Sequence, residues 1–79
     1  MRYVYLIESS AGAHRYVGVT SDIKRRLKDH NRGKLPHTAP HAPWRLITYA
    51  AFTDPTRANH FEHYLKSGSG HAFATRHLW

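Results

Sequence analysis

The sequence predicts an α+β fold: a small sheet and flanking helices in the order β-β-α-β-α, with a helical tail. Three observations carry this. Two runs rich in β-branched and aromatic residues flank a four-residue turn signal, a third such run lies mid-chain, and two helical stretches each open on a capping residue.

Residues 2–8 (RYVYLIE) read as the first strand, Ser9-Ser10-Ala11-Gly12 as turn chemistry, and residues 13–19 (AHRYVGV) as the returning strand. That loop pairs Tyr5 with Tyr16 and Tyr3 with Gly18, setting two phenols side by side on one face of the sheet beside a bare glycine. Thr20-Ser21-Asp22 then opens a helix over about 22–31, ended by Asn31 and Gly33. Ile23 and Leu27 form its buried stripe, Arg26 and His30 share one flank of that stripe, and Arg25 and Lys28 point away. Residues 33–43 (GKLPHTAPHAP) read as a loop, and residues 44–52 (WRLITYAAF) as the third strand. Asp54 and Pro55 give an N-cap and first helical residue for a second helix reaching about Lys66. Its apolar stripe is Ala58, Phe61 and Leu65, with His60 and His63 outward. The tail GSGHAFATRHLW adds a short third helix, docked by Phe73, Leu78 and Trp79. No repeat or linker divides the chain, so residues 1–79 read as a single domain.

Composition narrows the function. Twelve Lys and Arg against five Asp and Glu give a net charge of +7, the balance of a domain that meets a polyanion, most commonly nucleic acid. No long amphipathic segment suits a membrane surface, and the N-terminal apolar run is too short for a signal peptide or a bilayer span. Cysteine is absent, which excludes disulfides and thiolate zinc sites and suits a reducing, cytoplasmic setting. His37 and His41 do not make a zinc site by themselves, because Pro40 breaks any helix that would align them.

Three groups can carry chemistry. Glu62 borders the buried stripe of the second helix, where a carboxylate needs a cation, a donor or a metal. It is either an ion-pair partner or the single carboxylate of a magnesium-type site, which keeps several waters. Arg26, with His30 beside it, is either a side chain covering the core or a phosphate clamp. Tyr5 and Tyr16 are either core aromatics or phenols whose ionisation nearby cations or a metal draw down.

Tyr3-Val4-Tyr5, ten residues, then Tyr16-Val17-Gly18 and an arginine ten residues after Tyr16 together resemble the GIY-YIG nuclease signature. The strand Arg45–Tyr49 and the helical Glu62 continue the likeness, and Glu62 to Gly70 resembles short stand-alone bacterial members akin to an excision-repair endonuclease subunit. Tyr3 stands where the signature has its first glycine, and no asparagine follows Asn59, so the contribution of a late polar residue is either absent or supplied by His71 or Arg76. The resemblance implies a three-stranded antiparallel sheet flanked by helices. It also implies hydrolysis of DNA phosphodiesters by a catalytic set of Tyr5, Tyr16, Arg26, His30 and Glu62, with Glu62 holding one Mg²⁺ or Mn²⁺. Tyr5, hydrogen-bonded to Tyr16, would deprotonate water, while His30 relays the proton or fixes a tyrosine. Lys24, Arg25, Lys28, Arg32 and Lys34 would contact DNA phosphates without sequence preference. The implied substrate is structured or single-stranded DNA in repair or recombination. The alternative is a nucleic-acid-binding module on the same scaffold, non-catalytic or activated by a partner subunit.

Overall fold

A computed structural model describes residues 1–11 and 14–79. The elements are β1 (Arg2–Ser9), β2 (Arg15–Thr20), α1 (Ile23–Asn31), a 3-10 turn (Ala39–His41), β3 (Trp44–Phe52), α2 (Pro55–Leu65) and α3 (Gly68–His77). The strands form one antiparallel sheet in the order β2-β1-β3, so the expected α+β architecture is the one observed.

Strand β1 lies in the middle because its apolar residues serve two faces at once. Val4 and Leu6 meet Ala58, Leu65 and Ala74 of α2 and α3, whereas Tyr5 and Ile7 meet Trp44 and the Ile23/Leu27 stripe of α1. A continuous apolar run is what a strand buried on both sides requires. Between Leu6 and Ile7 the β1–β3 register shifts, because Thr48 pairs with Leu6 and Leu46 with Ile7. Ile47 is thus an extra residue, a β-bulge that turns Leu46 toward α1 and Thr48 toward the other layer. There the Thr48 hydroxyl donates to the Leu78 carbonyl and ties down the chain end.

The helix starts follow their caps. Asp22 accepts from the Arg25 amide at 3.1 Å, Asp54 from Thr56 at 2.9 Å and Ser67 from Gly70 at 3.2 Å. Gly33 follows the C-cap with φ of 75°, the left-handed value a glycine takes without strain.

The structure corrects the hairpin register and refines two further expectations. Tyr5 pairs with Gly18, and Tyr16 with Ile7, so the two tyrosines are diagonal rather than opposite. The cause is Ser9, which belongs to the ladder and not the turn. It is buried, its hydroxyl donates to the His41 carbonyl at 2.8 Å, and its amide meets the His14 carbonyl at 2.9 Å. The resulting two-residue offset keeps every side chain on its expected face. The expected turn residue Gly12 and strand residue Ala13 lie outside the described residues. Second, the loop of residues 33–43 is tethered. The Asn31 side chain accepts from the Trp44 amide and donates to the Trp44 carbonyl, and the Trp44 indole donates to the Thr38 carbonyl at 2.8 Å. Third, Phe73 docks only at the margin: it is 37% exposed with its ring 6.1 Å from that of Tyr64, while Ala74 and Gly70 bury the helix, together with Leu78 and Trp79. Among the described residues, no helix is long and apolar enough to cross a membrane.

Gly70 fits against the Tyr64 carbonyl where an added Cβ would overlap backbone, but Gly68 faces open space. Gly70→Ala is therefore expected to cost roughly 2–3 kcal/mol or more by overpacking. Gly68→Ala should be neutral or stabilising by up to about 1 kcal/mol. Urea titration of the two variants beside the parent checks the contrast.

Candidate functional site

The α1 face of the sheet collects most of the chemistry-bearing side chains. Tyr5, 1% exposed, points from β1 into α1 and passes over Gly18, where a Cβ would stand 2.5 Å from the phenol oxygen. Only glycine at that position lets the ring lie there. The phenol oxygen is 2.8 Å from Nε2 of His30, itself fully buried on the last turn of α1. Nδ1 of His30 is 2.6 Å from the Thr38 hydroxyl in the tethered loop. Tyr16 completes the aromatic wall, its ring 5.2 Å from that of His30 and 6.3 Å from that of Tyr5. Of the sequence-derived set, Tyr5, Tyr16 and His30 thus meet directly. The expected Tyr5–Tyr16 hydrogen bond gives way to a Tyr5–His30 bond, because the diagonal register leaves the phenol facing α1.

Arg26, one turn before His30, is close enough that its charge acts on both Tyr5 and His30. Its Nε is buried and has no hydrogen-bond partner among the described residues. Arg26 also lines a groove of about 410 Å³ with Arg25, Asp22, Asp29, Thr20 and Ser21. A buried guanidinium donor without an acceptor is rare, since the missing bond leaves a desolvation cost uncompensated.

Glu62 comes from α2, on the other side of the sheet. Its side chain is 13% exposed and pairs with Lys66 one turn later, while His63 lies 3.6 Å away. Lys66 in turn places its ammonium 5.9 Å from the centre of the Tyr16 ring. Tyr16 faces α1 and Lys66 leaves α2, so the two meet around the β2 edge, and the candidate site straddles that edge. The Glu62 charge acts on Tyr5 as well. Sequence reasoning missed Lys66 although its i, i+4 spacing from Glu62 was a signal. It missed Thr38 for want of any signal, because only the folded loop brings that residue to α1.

Burial pushes the Tyr5 pKa up to about 12, with Tyr16 and Glu62 adding to the rise and the Arg26 guanidinium opposing it. Of the two readings of Tyr5, the core aromatic prevails in this structure, because desolvation outweighs the one neighbouring guanidinium. Burial also lowers the His30 pKa, assisted by Arg26 and opposed by Asp29, so its imidazole is neutral at neutral pH.

A divalent metal has a restricted choice of ligands here. Among the described residues, no three His, Cys, Asp or Glu gather into a cage. Glu62 alone fits the hard-cation pattern of one carboxylate plus waters and phosphate oxygens. Its present neighbours, Lys66 and His63, have side chains 53% and 84% exposed and are free to move off it. Lys24, Arg25, Lys28, Arg32 and Lys34 are all exposed, along and just beyond α1, with Lys34 3.8 Å from Asp29.

A family model described as the GIY-YIG catalytic domain matches residues 1–74. The UPF0213 protein BH0048 of Halalkalibacterium halodurans is 37% identical over 65 residues, covering 81% of this chain and 68% of its own. The UPF0213 protein SAG0778 of Streptococcus agalactiae is 36% identical over 74 residues, covering 92% and 83%. The solution NMR structure of the UPF0213 protein BH0048 from Bacillus halodurans superposes with a TM-score of 0.56 and 32% identity, over 96% of this chain and 84% of that one.

The raised Tyr5 pKa links this site to stability. The fold retains a proton that the unfolded chain releases at its ordinary pKa of 10.0, so the stability contributed is intact below pH 10.0. It is lost as the pH rises through the folded value of about 12. Urea midpoints measured across that window should fall more steeply for the parent than for Tyr5→Phe. The ultraviolet phenolate band should show one tyrosine ionising last.

Proposed function

Because the chain belongs to the GIY-YIG family, a family of nuclease domains, we propose that it is a divalent-metal-dependent endonuclease that hydrolyses DNA phosphodiester bonds. Tyr5, Tyr16, Arg26, His30 and Glu62 make up the proposed catalytic set. The observation that carries this reading is Arg26 Nε, a buried donor lacking an acceptor among the described residues, beside a buried phenol–imidazole pair. A phosphate oxygen is an acceptor of the right charge for it, and a guanidinium fork also neutralises charge gathering on phosphorus during attack.

The proton path follows from the two ionisation shifts. With its pKa near 12, Tyr5 is no standing base at neutral pH. It accepts a proton from the attacking water only by passing its own to His30 Nε2, which is neutral and 2.8 Å away. The water O–H bond breaks toward Tyr5, the Tyr5 O–H bond breaks toward His30, and the new P–O bond forms as the leaving oxygen departs in line. Tyr16, half-exposed at the β2 edge, orients the water from the side open to solvent. Glu62 would hold Mg²⁺ or Mn²⁺ once Lys66 withdraws, and the bound ion supplies Lewis-acid polarisation and charge neutralisation at the phosphate. Lys24, Arg25, Lys28, Arg32 and Lys34 contact the phosphate backbone from α1. Selectivity then comes from DNA structure or single-strandedness, in keeping with a cytoplasmic role in repair or recombination.

The Glu62–Lys66 ion pair favours a second reading, in which the chain binds DNA but cuts only after a partner subunit draws Lys66 away.

Glu62→Gln is expected to abolish cutting in Mg²⁺ or Mn²⁺ while leaving DNA binding within about twofold, as read by gel assay and fluorescence anisotropy on labelled single-stranded, flapped and duplex DNA. Binding without cutting by the parent protein supports the alternative of a binding module, non-catalytic or, where an added partner restores cutting, partner-activated. Equal cutting by parent and variant defeats the assignment of Glu62 and points to a contaminant. Binding should also weaken steeply with salt, since log affinity falls by roughly 0.7–0.9 per phosphate contact for each tenfold rise in salt. Removing Lys28 and Arg32 together should flatten that slope.

A further inference from the structure

Thr38 lies in the tethered loop, two residues beyond Pro36, and takes no part in the proposed catalytic set. Yet it is only 2% exposed. Its hydroxyl stands 2.6 Å from His30 Nδ1 and 3.4 Å from the Leu35 carbonyl, and His30 Nε2 stands 2.8 Å from the Tyr5 hydroxyl. Tyr5, His30, Thr38 and the Leu35 carbonyl thus form one line with three links.

Counting hydrogens selects their direction. A neutral imidazole carries one, and each hydroxyl carries one. Three hydrogens therefore serve three links, and only one arrangement fills them all. Tyr5 donates to Nε2, Nδ1–H donates to Thr38 Oγ1, and the Thr38 hydroxyl donates to the Leu35 carbonyl. The opposite tautomer fills two links and leaves the Tyr5 hydroxyl hydrogen without an acceptor, in a side chain only 1% exposed. The Leu35 link is the weakest, because that carbonyl already accepts from the amides of Thr38 and Ala39 at 3.1 and 2.9 Å. With the Thr38 oxygen in place only the opposite tautomer strands a donor, the phenol; without that oxygen each tautomer strands one, Nδ1–H or the phenol, in a dry interior.

We propose that Thr38 is a positioning residue: by accepting from Nδ1–H, its hydroxyl oxygen holds His30 in the tautomer whose Nε2 is open to the Tyr5 proton. Three contacts fix that oxygen in place. The Trp44 indole holds the Thr38 carbonyl at 2.8 Å, and the Asn31 side chain grips both backbone groups of Trp44. The loop between α1 and β3 thereby acts on chemistry that it does not touch. An orienting partner behind a catalytic histidine is the general device for selecting its tautomer. Its consequence for catalysis rests on the nuclease reading above, whereas the tautomer itself does not.

The test uses the whole chain with ¹⁵N-labelled histidine at neutral pH. The His30 ring shifts should report hydrogen on Nδ1 in the parent protein and in Thr38→Ser, which keeps the hydroxyl. In Thr38→Val, which keeps the shape and loses the oxygen, the hydrogen should move wholly or partly to Nε2. Cleavage at saturating DNA should fall roughly 10–100-fold in Thr38→Val and recover in Thr38→Ser. A parent protein with hydrogen on Nε2 overturns the proposal, and so does a Thr38→Val variant with an unchanged tautomer. If Thr38→Val does not fold, the parent and Thr38→Ser spectra still decide. A tautomer shift in a protein that cuts no DNA supports the positioning role and defeats the nuclease reading, which separates the two failures.

Discussion

A phenol hydroxyl placed inside a two-sided sheet is the constraint around which this molecule is arranged. Strand β1 is buried on both faces and Tyr5 is 1% exposed, so its oxygen needs a partner within the protein. That requirement reaches outward by steps. It needs a bare backbone at Gly18 for the ring to cross, a histidine on the last turn of α1, and an oxygen behind the histidine. It then needs a loop held firmly enough to keep that oxygen in place. Each step spends polar groups in a core that aliphatic side chains would fill more simply, the kind of local conflict expected at a functional site.

Charge is arranged by the same economy. Only five acids face twelve fixed cations, and Glu8 is taken by Arg15 and Arg45 at 3.0 and 2.8 Å. Those two guanidiniums hold the Glu8 carboxyl below the usual carboxylate range. Glu62 is left near the tyrosines with Lys66 as its partner, so the site edge carries a compensated pair, while Arg26 keeps an uncompensated donor inside. The Lys66 side chain is 53% exposed, so its ammonium has water available when it leaves the carboxylate. A ligand that draws the pair apart must then supply the Glu62 carboxylate with another cation.

Much of this was readable from residue order. Caps at Asp22 and Asp54, the apolar runs of β1 and β3, and the stripes of α1 and α2 are local signals, and local signals survive folding. Arg26 and His30 share a helix flank for the same reason. What could not be read is whatever depends on how distant segments meet. Ser9 joined the ladder because its hydroxyl reaches the His41 carbonyl, 32 residues away, and that contact set the hairpin register. Thr38 gives no hint of its place beside His30, since a loop has no period. The ionisation of Tyr5 could not be read either, because counting nearby cations ignores how little water remains around the ring. Small residues let α3 approach α2, and Phe73, despite its size, sits at the margin of that contact beside Tyr64.

The bulge at Ile47 gives this small protein an arithmetic it would not otherwise have. Strand β3 supplies Trp44 and Leu46 to one layer and Thr48 and Phe52 to the other, although even spacing alone would put all four on the same side. The site is thereby sensitive to the number of residues in β3 as well as to their kinds. A length change of one residue ahead of Ile47 would invert which layer receives Trp44, and with it the anchor of the whole α1–β3 connection. Drift by substitution is open to this strand; drift by insertion or deletion is closed.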